Sequence, residues 1–233
     1  MRCSISLLFA LWALPVWAMD SATVTGTQVV NGHAVLHLDD GSEVALADII
    51  IPAAAPDLAG FKGNEVTLQG FDEDRYGRST AIAKPRGRGQ QTLQETLLAD
   101  GEALTYSMTA LKDWPRWHAA EHEAEANHRG IWAKPLVITP EQAQHRLQQF
   151  VIVEGRVAHI HQARDAYYIN FGENWKTDFS IKIPRSNWRS FADALPVAEG
   201  NTIRARGTLI SENGPMLVLT RPEQMEKKNA DTQ

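Results

Sequence analysis

The chain has 233 residues, 43% of them apolar, with 23 Lys and Arg against 28 Asp and Glu, a net charge of −5. That length holds one large or two small domains, and the acidic balance argues against a dedicated nucleic-acid binder with a broad basic face. The single cysteine, Cys3, excludes a disulfide framework and a thiolate metal site.

In chain order, Met1, Arg2 and Cys3 precede an uncharged apolar run from Ser4 to Trp17. A short positive start, an apolar stretch and small residues up to Ala18 predict a secretory signal (1–18) cut after Ala18. The run is too short to span a bilayer comfortably, and nothing else is apolar enough to try. Cleavage would deliver a periplasmic or secreted product, off the membrane and without cysteine.

Thr23 to Val30 alternates apolar and polar residues and predicts a strand. Asn31-Gly32 signals a hairpin turn into a second strand over His33 to Leu38. Asp39 to Gly41 turns into a third, Val44 to Ile51. About ten residues with Pro56 among them then lead to a fourth strand over Gly63 to Gln69, and the polar turn from Asp72 to Thr80 leads to the strand of Ala81 to Ala83. The basic loop Lys84 to Gly89 follows. Leu93, Leu97 and Leu98 give one apolar face to a predicted helix from Gln90 to Asp100, stopped by Gly101. A second helix carries His118, Glu121 and His122 and ends before Gly130.

A D-R-Y-G-R turn at 74–78, an L-x-x-x-L-L-x-x-G helix at 93–101 and an A-E-A-x-x-R-G-I-W end at 124–132 together resemble the staphylococcal nuclease-like (thermonuclease) family over about residues 23–135. The resemblance implies a five-stranded barrel of OB type with helices after it. In that family, acids on the first turn and the third strand hold calcium, two arginines bind phosphate, and a glutamate is the proposed general base. Here the metal acids fall on His33 and Ile50, the neighbouring threonine on Ile51, one arginine on Ala45 and the base on Ala53. Arg78 is the remnant arginine, with Arg75 beside it. Calcium needs six to eight hard oxygens, which Ile50 and Ala53 do not offer. Asp48, two residues before the expected acid and on the same strand face, is the candidate for a rebuilt site; otherwise it is a solvated strand acid. The helix that the family carries between its third and fourth strands is expected to be missing or reduced to one turn.

His118-x-x-Glu121-His122 sets two imidazoles one helical turn apart with an acid beside them, and Glu125 and His128 extend the face. The pattern reads either as a zinc-binding helix, needing a third ligand from elsewhere, or as the exposed last helix of the nuclease-like fold.

A linker helix is predicted over 136–149. From Phe150 to Pro222 three strands, a short helix opened by Pro184 and two more strands follow the order of a second OB-like five-stranded barrel. This region holds 9 Lys and Arg against 7 Asp and Glu, whereas residues 23–135 hold 10 against 16. Tyr167, Trp175, Lys176, Arg204 and Arg206 are its candidate binding residues, since aromatics stack bases and arginines meet phosphates. Residues 223–233 predict a disordered tail.

The fold class expected is therefore a barrel-rich α+β protein, a nuclease-like barrel followed by an OB-like one. The function expected is a secreted binding module without cofactor, for single-stranded nucleic acid or a periplasmic protein. The alternative is a calcium-dependent secreted nuclease with a site rebuilt from His33, Asp48 or the histidine helix.

Overall fold

The computed structural model describes residues 17–52, 58–74, 77–106, 113–174 and 176–228. Ala53, Arg75, Trp175 and the bulk of the expected signal lie outside them.

Five strands close the first barrel: β1 (Trp17–Val30), β2 (His33–Leu38), β3 (Glu43–Leu46), β5 (Glu65–Glu73) and β6 (Ser79–Pro85), in the order β1-β2-β3-β6-β5. Alternation fixes the register, because a one-residue slip would turn Leu36 and Leu68 from core to solvent. Both are fully buried, with Val24, Leu46 and Ala81. The barrel closes on a parallel pair, Val44 of β3 opposite Ser79 of β6. Trp17, Ala18 and Met19 pair with Gly70, Gln69 and Leu68, so the strand runs across the expected signal cut.

The third strand does not run on to Ile51. It stops at Leu46, and β4 (Ile49–Ile50) leaves the barrel to pair with β7 (Leu104–Thr105). The break sits at Asp48, whose φ of 58° is a left-handed conformation that a short polar side chain tolerates. Its carbonyl accepts the Tyr106 amide at 2.9 Å, and the residue is buried, not a solvated strand acid. Between β4 and β5 the described residues hold one 3-10 turn, Leu58–Phe61, with Leu58 and Phe61 in the barrel core.

Helix α1 (Leu93–Ala99) begins where Thr92 caps the Glu95 amide. Gln94, fully buried, ties it to the barrel: its amide donates to the Ala81 carbonyl at 2.8 Å, and its oxygen accepts from the Ala83 amide at 3.3 Å. Helix α2 (Trp114–Ala126) packs on α1. The glycines that end the two helices touch. A Cβ on Gly101 would lie 2.3 Å from the Arg129 carbonyl oxygen, and one on Gly130 would lie 2.2 Å from that of Gly101.

The second half repeats the first barrel's connectivity. Its strands are β8 (Val137–Ile138), β9 (Phe150–Arg156), β10 (His159–Gln162), β11 (Ala166–Asn170), β12 (Ser180–Pro184), β13 (Thr202–Thr208), β14 (Ile210–Ser211), β15 (Pro215–Val218) and β16 (Met225–Lys228), with α3 (Arg185–Ala194) between β12 and β13. They form two sheets, β10-β11-β12-β15-β14 and β16-β13-β9-β8. The expected single first strand is bent at Val157 and Ala158 into β9 and β10, and the fourth at Leu209 into β13 and β14. Each bent strand serves both sheets. Followed through the bends, the order is first-second-third-fifth-fourth, with β12 parallel to β15 as β3 is to β6. Ile169, Phe179, Ile181, Phe191, Ile203 and Leu217 fill the interior.

Two expectations at the edges are corrected. The join is not an α-helix to Gln148. It is a 3-10 segment, Pro140–Arg146, opened by a Thr139/Gln142 capping box and followed by a left-handed Gln148, φ 65°. Residues 223–228 are not a loose tail, because β16 pairs with the outer edge of β13, with Ala205 opposite Met225 and Arg204 opposite Glu226. Buried Met225 covers core that would otherwise meet water.

Candidate functional site

Of the positions matching the nuclease-like family's catalytic residues, Ala45, Ile50 and Ile51 are apolar in composition and in contact. Ala45 is fully buried in β3. The Ile51 amide donates to the Gly32 carbonyl at 2.7 Å, and a Cβ on Gly32 would meet the Ile50 side chain at 3.1 Å, so the first turn and β4 press together. Ile50 packs against a cluster of Leu104, Ala124, Trp132 and Ile152 that spans both halves, with Phe150 and Val137 beside it. His33 stands at the start of β2, half-buried. Arg78 is held by its own turn, its Nε and Nη2 donating to Asp74 Oδ2 at 2.8 and 2.6 Å.

Arg204 and Arg206 do not line a groove. They lie on one face of β13 and point into α2. Arg206 Nη1 lies 2.7 Å from Glu121 Oε1 and also donates to the Thr105 hydroxyl at 2.7 Å. Arg204 Nη1 meets both Glu125 oxygens at 2.9 and 2.8 Å, and its Nε donates to Glu154 at 2.8 Å. Hence α2 is exposed on one side only: Glu121 and Trp117 are fully buried, and the face carrying Glu121 and Glu125 is the seam between the halves. The spacing carried a signal. Side chains two apart on a strand stand about 6.6 Å apart and those four apart on a helix about 6 Å, so a strand R-x-R fits a helix E-x-x-x-E pair for pair. Satisfying these buried charges fixes the register of the two halves.

The same seam holds the histidines. His122 Nε2 lies 3.2 Å and His118 Nε2 3.7 Å from one oxygen of Glu226, on β16. Nothing in the pattern of residues 223–233 pointed to Glu226; only the pairing of β16 with β13 brings it there. Burial, then the neighbouring charges of His122 and Arg206, lowers the His118 pKa against the pull of Glu226 and Glu121. For Glu226 burial alone would raise the pKa, but His122, Arg206 and Lys228 together take it down to about 2.

The open concave surface lies elsewhere, on the β10-β11-β12 face of the second half, a cavity of about 560 Å³. His159 and His161 of β10, Tyr168 and Asn170 of β11, Ser180 of β12 and Asn213 of the β14–β15 turn are among its lining residues. Lys182 stands 5.8 Å from the Tyr168 ring centroid and pairs with Glu212 at 2.7 Å. Alternation separates the two tyrosines: Tyr167 stacks on Trp188 of α3 at 3.9 Å, and Tyr168 lines the cavity. Lys176 is exposed in the β11–β12 loop, its amide donating to Asn174 at 3.2 Å, and is not among the cavity's lining residues.

A closed five-stranded barrel with two helices locked end to end gives the first half an OB-type barrel fold consistent with the nuclease-like one. Residues 59–134 match the family described as Staphylococcal nuclease homologue. The matched span takes in Arg78 and both glycine-capped helix ends, and begins after His33, Ala45, Ile50, Ile51 and Ala53. No curated protein matches the chain.

Proposed function

We propose that this is a secreted or periplasmic nuclease-like protein that binds without cutting, and that its working surface is the β10-β11-β12 face of the second half. The reading is carried by Ile50. Where the nuclease-like family places a metal carboxylate, this chain places a sec-butyl group packed against an apolar cluster that includes Ile152 and Trp132. Hydrolysis of a phosphodiester needs an activated water and a cation where negative charge develops, and an aliphatic side chain supplies neither. The remaining arginine is engaged by Asp74.

The open face offers a flat ring in Tyr168, two imidazoles, and the amides and hydroxyl of Asn170, Asn213 and Ser180. Strands two and three, with the loop between strands four and five, form the usual ligand face of an OB fold, so fold analogy supports this location. Because Arg204 and Arg206 are committed to the seam, stacking and base-edge hydrogen bonds must carry recognition rather than phosphate contacts. The ligand proposed is a short single-stranded nucleic acid.

The test is fluorescence anisotropy of a labelled single-stranded oligonucleotide, with a digestion assay on the same DNA in calcium and in chelator. Binding weakened about fivefold or more by Tyr168→Ala, a shallow salt slope and intact DNA in both conditions support the reading. Calcium-dependent cleavage lost on Arg78→Ala would establish the hydrolytic alternative. No binding at low salt would turn the search to a protein partner.

A further inference from the structure

His118, His122 and Glu226 form the one group of three or more His, Cys, Asp and Glu side chains with metal-ligand geometry among the described residues, their ligand atoms all within 4.8 Å of one another. Each comes from a different turn or a different half of the molecule. His118 and His122 are one helical turn apart on α2, with ring centroids 4.1 Å apart, and Glu226 reaches them from β16. From the carboxylate oxygen the two Nε2 atoms lie at 3.2 and 3.7 Å. Around a tetrahedral ion with bonds of about 2.0–2.1 Å, ligand atoms stand about 3.4 Å apart, so the carboxylate oxygen already lies at about the required spacing from each nitrogen.

Two further observations point the same way. The His122 Nε2 atom is shielded from solvent and faces Glu226 Oε2 at 3.2 Å. The seam also has unbalanced charge: Glu121, Glu125, Glu154 and Glu226 face Arg204 and Arg206. Four carboxylates against two guanidiniums leave two negative charges, only partly offset by Lys228 on β16. With Lys228 counted one negative charge remains, and it favours a cation.

We infer that His118, His122 and Glu226 bind a divalent transition-metal ion of the zinc class, with a fourth position open to solvent, and that the ion clasps the C-terminal strand β16 to helix α2. Two imidazoles and one carboxylate suit zinc, nickel or copper and not calcium or magnesium. The site lies apart from the calcium positions of the nuclease-like family, and it stands or falls independently of the proposed binding face.

The test uses the full chain purified without a histidine tag and stripped with chelator. Titration with cobalt(II), then zinc, should show one equivalent bound, with cobalt absorption in the visible range typical of a low-coordinate site. Affinity should fall at least tenfold in Glu226→Gln and in His122→Ala, while circular dichroism in chelator confirms that the variants fold. Should a variant fail to fold, imidazole NMR of the wild-type protein decides. Zinc should shift the His118 and His122 ring signals and leave those of His159 and His161 in place. Zinc should also slow proteolysis near Lys227 and Lys228. Absence of stoichiometric uptake, affinity unchanged in Glu226→Gln, or ring shifts confined to other histidines would each overturn the inference.

Discussion

Arg206 of the second half and Glu121 of the first meet at 2.7 Å in a seam where their side chains are 4% and 0% exposed. A pair buried so completely is costly to break, because removing one partner strands the other charge away from water. Arg206→Met is expected to destabilise the protein by about 3–5 kcal/mol in urea unfolding. Glu121→Leu added to Arg206→Met should recover most of that loss, since two apolar side chains leave no uncompensated charge. A single substitution costing under about 1 kcal/mol would show that the pair does not clasp the halves.

The helix ends give a second, sharper test. Gly101 has φ 70° and Gly130 φ 53°, and each backbone closes the space where a side chain on the other would stand. Gly101→Ala meets both a strained conformation and the Arg129 carbonyl, with the Ile131-to-Gly101 hydrogen bond of 2.8 Å holding the two in place. The cost should exceed about 1 kcal/mol, read as a lower melting temperature by circular dichroism. Gly87→Ala is the control: it also has positive φ, but its Cβ meets nothing within 4 Å and strain alone remains.

Gln94 should behave as a structural amide. Gln94→Leu keeps the volume and removes the bonds to the Ala81 carbonyl and the Ala83 amide, both inside the barrel wall. An unpaired buried polar group costs about 1–3 kcal/mol, so chemical denaturation should detect the change and hydrogen exchange should rise at Ala83. Gln94→Glu should be worse, as it buries a charge without a cation.

Acid should loosen the seam in two stages in chelated protein. The folded pKa of His118 lies below its ordinary 6.5, so the unfolded chain takes up a proton first as pH falls through 6.5, and stability declines from there. The folded pKa of Glu226, about 2, lies below its ordinary 4.5, so a further decline runs from about 4.5 toward 2. Above about pH 7 neither group contributes a slope. Thermal unfolding across pH 3–8 tests this, with His118→Phe expected to remove the first stage and leave the second.

Much of the fold was legible because local rules set it. Period-two alternation marked β1, and Asn31-Gly32 marked the first hairpin through its left-handed backbone, φ 52° and 80°. The D-R-Y-G-R turn and the two glycine-ended helices gave the resemblance to the nuclease-like family, since a glycine demanded by both conformation and contact leaves a trace in the motif. The loss of oxygen ligands at Ile50 was equally plain, because a side chain's chemistry is fixed by its identity. The breaks were not plain. Asp48 leaves the strand because Tyr106, far along the chain, takes its carbonyl, and Val157 bends because Asn201 takes its amide at 2.8 Å.

The sequence by itself determined the first barrel, the strand order of the second half and the lack of carboxylates at positions 50 and 53. Only the tertiary structure decided the use of the arginines, which pattern assigned to a ligand and packing assigns to Glu121 and Glu125. It alone also brought Glu226 to the histidines. The physical reason is range: alternation and turn chemistry act between neighbours, whereas a buried charge finds its partner 85 residues away, and nothing between the two in the chain announces the meeting.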